Sequence, residues 1–240
     1  MLPAFLRPAF PDAGRLIVQT PALTSLAAGQ VFGGRVLNAG CGEGGYCRWL
    51  ESMPAVTRID NIDVVVPPEF LVWHRDPRHH VQVGSLTALP YADGSFDAAL
   101  CTEVIEHIAD HEVAAAELAR VLKPGGVLIA SVPLRPAPFD PNHARQDYTV
   151  ESFRALLAGA GFVVEEHRTC CHALLRSVMH YWRAPLVRFG ANRTPYIPNA
   201  LMSLLAHADR VLRLGQPWDL VGRARTGQRA EGKGQRRGER

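Results

Sequence analysis

What this chain lacks narrows its class. No run approaches the roughly 18 uninterrupted apolar residues of a membrane-spanning helix, and the opening MLPAFLRPAFPDAGR puts prolines where a secretory leader needs its apolar core. The five cysteines form no disulfide framework and no paired CxxC: Cys41 lies in a glycine-rich turn, Cys47 and Cys101 read as packed, and Cys170 and Cys171 are adjacent. There is no HExxH, so His79, His80, His107 and His111 read as solvated or locally hydrogen-bonded, and no metal is expected. These absences leave a soluble, cytoplasmic enzyme or binding protein, with the ordinary 47% apolar and 20% charged composition of a globular chain.

At 240 residues the chain suits one domain with additions. Its net charge of +3 is uneven: residues 223–240 carry +5, residues 172–215 another +5, and the remainder −7. A mildly acidic body therefore carries a basic insert at about 172–215, the two together making one domain over residues 1–225. A basic tail over 226–240 has almost no apolar residue and is expected to be disordered.

Periodicity and breakers predict the order of elements. TPALTSLAAGQVF reads as a helix capped by Thr20 with Pro21 at its first position. RVLNA is a buried strand, YCRWLESM a helix, VTRIDNIDVV a strand, PPEFLVWH a helix and HHVQVG a brief strand. FDAALC is a fourth strand, DHEVAAAELARVLKPGG a helix stopped by its Lys-Pro-Gly-Gly, and GVLIASVP a fifth strand. TVESFRALLAGAG is a helix with Thr149 and Ser152 as candidate caps, FVVEEH a sixth strand, and WDLVGRAR the last. Such alternation implies an α/β fold: a Rossmann-like, doubly wound, mostly parallel seven-stranded sheet, with an antiparallel last strand and a helical insert before it.

In VLNAGCGEGGY, Gly40, Gly42 and Gly45 spell the GxGxxG of a dinucleotide site, while Gly40, Gly42 and Gly44 spell the GxGxG of a methyl-donor site. The stretch alone leaves both open. Either way, residues without a Cβ let the backbone turn sharply close to an anionic ligand, beside the free N–H groups of the following helix.

From Arg35 to His167 the chain resembles the class I S-adenosylmethionine-dependent methyltransferases, and especially their small-molecule group. The pieces that carry this are VLNAGCGEG, NID, GSLTALPYADGSFDAALCTEVIEH, RVLKPGG and DYTVESFRALLAGAGF, in that order. The resemblance implies S-adenosylmethionine as cofactor. Gly40, Gly42 and Gly44 would accept its methionine carboxylate, and Asp63, with Asp60 as second choice, the ribose hydroxyls, since a carboxylate offers two acceptor oxygens to a vicinal diol. Ser85 and Leu86 match the adenine-binding positions, with Ser85 where relatives usually have Asp. Glu103 and Val104 would face the methionine and sulfonium end. Asn38 replaces the acidic residue that many relatives carry in the first strand, Glu43 reads as solvated, and RVLKPGG as a structural turn.

Methyl transfer is an in-line displacement, so much of the catalysis can come from positioning. A hydroxyl acceptor would gain from a nearby base, and two histidines belong to loops beyond the carboxyl ends of strands: His107 in EVIEH and His143 in FDPNHARQDYT. The expected function is methyl transfer to a small-molecule acceptor, with oxygen as target. In the insert, Tyr181, Trp182, Phe189 and Tyr196 alternate with Arg176, Arg183, Arg188 and Arg193. This suggests an amphiphilic or anionic acceptor or a peripheral membrane contact, against the alternative of a hairpin that only completes the core. CTEV stands where exocyclic-amine methyltransferases of nucleic acid carry N/DPPY, which disfavours nucleic acid as partner. A protein that binds the donor without turnover is the other alternative.

Overall fold

The computed structural model describes residues 13–29, 32–135, 140–178 and 199–227. The tail beyond Gly227 lies outside them, as do the insert's Tyr181, Trp182, Arg183, Arg188, Phe189, Arg193 and Tyr196. The strands are β1 Gly34–Ala39, β2 Val56–Asp63, β3 His79–Val83, β4 Phe96–Thr102, β5 Leu122–Pro133, β6 Phe162–Cys170 and β7 Asp219–Thr226. The helices are α1 Ala13–Ala27, α2 Cys47–Glu51, α3 Phe70–Trp73, α4 His111–Val121, α5 Val150–Gly159 and α6 Asn199–Leu212.

They form a seven-stranded sheet in the order β3-β2-β1-β4-β5-β7-β6, in which β7 runs antiparallel to both neighbours. The expected doubly wound sheet is thus observed. In the central strands successive residues enter opposite layers. Val36, Ala98 and Ile129 pack under α1 and α2, while Leu37, Ala99 and Leu128 pack under α4 and α5. Burial on both faces is why these strands read as continuous apolar runs.

Three local features differ from or sharpen the sequence reading. α1 begins seven residues before Thr20, and Pro21 lies inside it. Val18, Leu23 and Leu26 are buried there against the sheet layer, and the Thr20 hydroxyl donates to the Leu16 carbonyl at 2.6 Å, within the turn that Pro21 interrupts. α4 stops at Val121, and β5 already pairs at Leu122 with Phe96, so Lys-Pro-Gly-Gly lies within an irregular strand start rather than in the helix. Gly125 takes a φ of +77° there. At α5 the two candidate caps act together: Ser152 N–H donates to Thr149 Oγ1 at 3.1 Å and Thr149 N–H to Ser152 Oγ at 2.9 Å.

Because β6 is parallel to β5, the insert leaves the sheet at its carboxyl edge and returns at Asp219. Its described parts pack on α1 through Leu175, Met202 and Ala206. The buried Asp209 carboxylate on α6 accepts from His172 N–H at 2.7 Å and Leu175 N–H at 2.9 Å, capping the helical turn over 173–178. No helix of the described residues is long and apolar enough to cross a membrane.

Candidate active site

Strand order reverses between β1 and β4, and in open α/β sheets ligands bind outside the carboxyl ends of the strands at that switch. The glycine turn after β1 lies there. Gly40 and Cys41 N–H groups donate to the Ile62 carbonyl at 2.8 and 3.1 Å, tying the turn to β2. Gly40, Gly42 and Gly44 have φ of +71°, +50° and +87°, the left-handed region that side chains avoid, whereas Gly45 does not. A Cβ on Gly40 would lie 2.2 Å from Val104 Cγ2. The three positions under backbone constraint are those of the GxGxG reading.

A cleft opens beside this turn, lined by Asn38, Gly40, Gly42, Tyr46 and Glu103 together with Arg15 of α1. Asn38 is buried and donates to Asn61 Oδ1 at 2.9 Å, so its amide is committed to the sheet interior. Glu43 is exposed, as expected of a solvated side chain.

The two acidic candidates on β2 separate cleanly. Asp63 Oδ2 accepts from Gly42 N–H at 2.8 Å and Oδ1 from Val65 N–H at 3.3 Å, leaving each oxygen lone-pair capacity beside the turn. Asp60 is buried and bound at 2.8 Å by both Arg35 and Arg58. Burial would raise its pKa, but hydrogen bonds and charge from the two guanidinium groups outweigh it, and the pKa is lowered. Asp60 is a structural ion-pair centre, not available to a ligand. Beyond β3, Gly84 N–H donates to the Asp63 carbonyl at 2.9 Å, which places Ser85 and Leu86 on the β2 side of the switch. Ser85 Oγ bonds Thr87 Oγ1 at 2.8 Å and Leu86 is buried in the core, so neither lines the cleft near Glu103.

Glu103 sits at the end of β4 with φ +55°, a strained setting for a residue with a side chain. Its carboxylate pairs with Arg15 at 2.7 Å and accepts from Ser131 Oγ at 2.6 Å and Gln19 Nε2 at 3.1 Å. Desolvation pushes its pKa up, but Arg15 and these donors bring it below the ordinary value. Gln19 also donates to Asp219 Oδ2 at 2.5 Å and accepts from the Tyr46 hydroxyl. Asp219 is wholly buried, and desolvation, with the Glu103 charge next, raises its pKa well above normal. One cation thus faces a charged and a proton-holding carboxyl at the floor of the cleft.

Sequence reasoning missed Arg15, Gln19, Tyr46 and Asp219. The signal available was the i, i+4 spacing of Arg15 and Gln19 among apolar residues of α1, which puts two polar side chains on one helix face.

The loops after β4 and β5 bring His107 and His143 together, ring centroids 4.6 Å apart in an edge-to-face contact. His107 is partly exposed and its Nδ1 lies 3.0 Å from the Asn142 carbonyl. His143 is mostly buried, with Nε2 3.7 Å from Asp140 Oδ2. Val104, whose methyls pack at Gly40, joins the glycine turn to this loop. Of the predicted residues, Asn38, Gly40, Gly42 and Glu103 line the cleft, Asp63 meets Gly42 beside it, and His107 and His143 pair in the loops after β4 and β5.

The comparisons with known proteins agree with this fold. Residues 37–130 match the family model described as a methyltransferase domain. A probable S-adenosylmethionine-dependent methyltransferase of Mycolicibacterium smegmatis is 36% identical over 138 residues, 55% of this chain and 52% of that protein. A malonyl-[acyl-carrier protein] O-methyltransferase of Serratia marcescens is 34% identical over 102 residues, 41% of this chain and 38% of that protein. The matched regions span about half or less of these curated relatives. Among solved structures, the 1,6-didemethyltoxoflavin-N1-methyltransferase of Burkholderia thailandensis, determined with S-adenosylhomocysteine bound, superposes with a TM-score of 0.58. It covers 91% of this chain and 80% of that one at 21% identity, a likeness of fold.

Proposed function

We propose that the chain, whose residues 37–130 match a methyltransferase domain, is a class I S-adenosylmethionine-dependent methyltransferase that transfers a methyl group to an oxygen of a small-molecule acceptor. The observation that carries the reading is the continuity of the site: ribose acid, glycine turn, cleft and paired histidines follow one another along the carboxyl edge. The O-methyltransferase among the relatives supports oxygen as the target.

The residues fit the cofactor. Gly40 to Gly44 form a cradle that a Cβ would fill, and Asp63 keeps acceptor capacity for a diol. Ser85 and Leu86 would border the adenine, and Val104 with Glu103 the methionine end. When bound, S-adenosylmethionine supplies an electrophilic methyl carbon whose bond to a sulfonium sulfur breaks as the acceptor attacks, the electron pair staying on sulfur. Arg15 holds Glu103 ionised beside that end, and a fixed carboxylate there favours a cationic donor over its neutral product. His143 and His107 stand where an acceptor hydroxyl can be activated, since imidazole takes up protons near neutral pH. Five buried, unpaired cysteines fit the reducing cytoplasm. We assign no nucleic-acid partner. The amphiphilic-acceptor reading rests on the insert's arginines and aromatics, of which only Arg176 lies among the described residues.

The test is calorimetric titration with S-adenosylhomocysteine, and with NADH in parallel. Wild type should bind the first alone, and Asp63→Ala should weaken that binding about 10- to 100-fold, the worth of hydrogen bonds to a charged group. NADH binding in place of S-adenosylhomocysteine would discard the scheme.

A further inference from the structure

Beside the donor cleft, the wholly buried Glu106 receives no hydrogen bond on either carboxylate oxygen from another of the described residues. Its contact is an ion-pair approach of His107 Nε2 to Oε1 at 3.9 Å. A carboxyl group placed in the interior without donors is costly unless something else supplies positive charge.

The surroundings are built for such a charge. One ligand-type atom each from Glu106, His107 and His143 lies within 4.8 Å of the others, a spacing that a single ion bonded to N and O at about 2.0–2.2 Å can bridge after a small movement. The Asn142 carbonyl can only accept, so the 3.0 Å contact puts the proton of His107 on Nδ1 and leaves the Nε2 lone pair toward Glu106. That is the arrangement of a metal-binding histidine, whose other nitrogen donates to a carbonyl or carboxylate. The buried Asp140 carboxylate lies 3.7 Å from His143 Nε2, and its loop is closed by Asn142 N–H to Asp140 Oδ1 at 3.0 Å and His143 N–H to the Asp140 carbonyl at 3.1 Å.

We propose that Glu106, His107 and His143 bind a divalent first-row transition cation, leaving coordination positions open toward the acceptor. Two imidazoles and one carboxylate suit zinc, manganese or iron(II) rather than calcium or magnesium, which prefer oxygen ligands. The sequence reading set metal aside for want of an HExxH or paired CxxC; the third ligand stands in the loop after β5, outside any local spacing pattern. In the proposed methyl transfer, on which this role rests, the two imidazoles then serve as ligands in place of bases and the cation acts as a Lewis acid: it lowers the pKa of an acceptor hydroxyl, whose proton leaves to solvent before oxygen attacks the methyl carbon.

The experiment is a cobalt(II) titration of the chelator-stripped full chain, followed by visible d–d absorption without donor or acceptor. The same preparation is titrated with S-adenosylhomocysteine, so that loss of the metal site and failure of the methyltransferase reading are told apart. Wild type should develop a one-equivalent band that zinc displaces. E106Q, which keeps shape, and H107N, on the partly exposed side, should each weaken cobalt binding tenfold or more while binding S-adenosylhomocysteine as wild type does. No band in wild type, or a band unchanged in both variants, would overturn the proposal.

Discussion

Substituting the turn glycines one at a time with alanine tests whether the donor turn is read correctly, because each meets a different obstacle. At Gly40 the new Cβ lies 2.2 Å from Val104 Cγ2 and 2.6 Å from Cγ1, and the φ is +71°. The left-handed backbone costs an L-residue about 1–2 kcal/mol and the overlap about 1–3 kcal/mol more. Gly40→Ala should therefore lose about 2–5 kcal/mol. At Gly42 nothing lies within 4 Å of the added carbon, so only the backbone cost of about 1–2 kcal/mol applies. Gly45 has an ordinary φ and its new methyl would meet Leu16 at 3.4 Å, ordinary contact. Gly45→Ala should be within about 0.5 kcal/mol of wild type, as for a substitution without strain. Urea unfolding of the three variants reads the order, and Val104→Ala combined with Gly40→Ala should recover part of the overlap, since both methyls go while Val104 Cβ stays 2.9 Å away, but not the backbone part. Equal losses at Gly40 and Gly45, or no rescue in the double variant, would refute the steric argument and the GxGxG assignment with it.

The buried charges under the cleft make two further predictions. Arg15→Met should cost about 3–5 kcal/mol at neutral pH by leaving Glu103 ionised without its cation. The folded-state pKa of Glu103 is lowered, so the stability its charge brings is present above the ordinary carboxylate pKa and lost as pH falls through the folded value. The gap between variant and wild type should therefore narrow in acid, and a pH-independent gap in urea midpoints would count against the pair. Asp219 is the opposite case: its folded pKa is raised, so its contribution is full below the ordinary carboxylate pKa and lost as pH rises through the folded one. Asp219→Asn keeps the neutral shape and should flatten the decline of stability with rising pH. Parallel pH–stability curves for variant and wild type would rule out a proton held on Asp219.

The sequence by itself determined the alternation of strands and helices, the place of the glycine turn, the capping box at Thr149 and Ser152, and the resemblance to methyltransferases. These are legible because they depend on residues close together in the chain: apolar periodicity, breakers and short motifs. For the proposed ribose acid it put Asp63 ahead of Asp60, and long-range contacts separate the two. Asp60 is taken by Arg35, from the neighbouring strand, and Arg58, whereas Asp63 meets Gly42 across the strand order.

Only the tertiary structure decided the rest. α1 was legible as a helix, but not that Arg15 and Gln19 reach Glu103 and Asp219, from opposite ends of the chain, because the insert's return through β7 sets that contact. The meeting of Glu106, His107 and His143 likewise depends on two loops that leave adjacent parallel strands at the same edge. Local sequence specifies which way a strand or helix runs and which face it buries. Which charged groups must share one low-dielectric space is set by packing elements distant in sequence, and that packing makes the site.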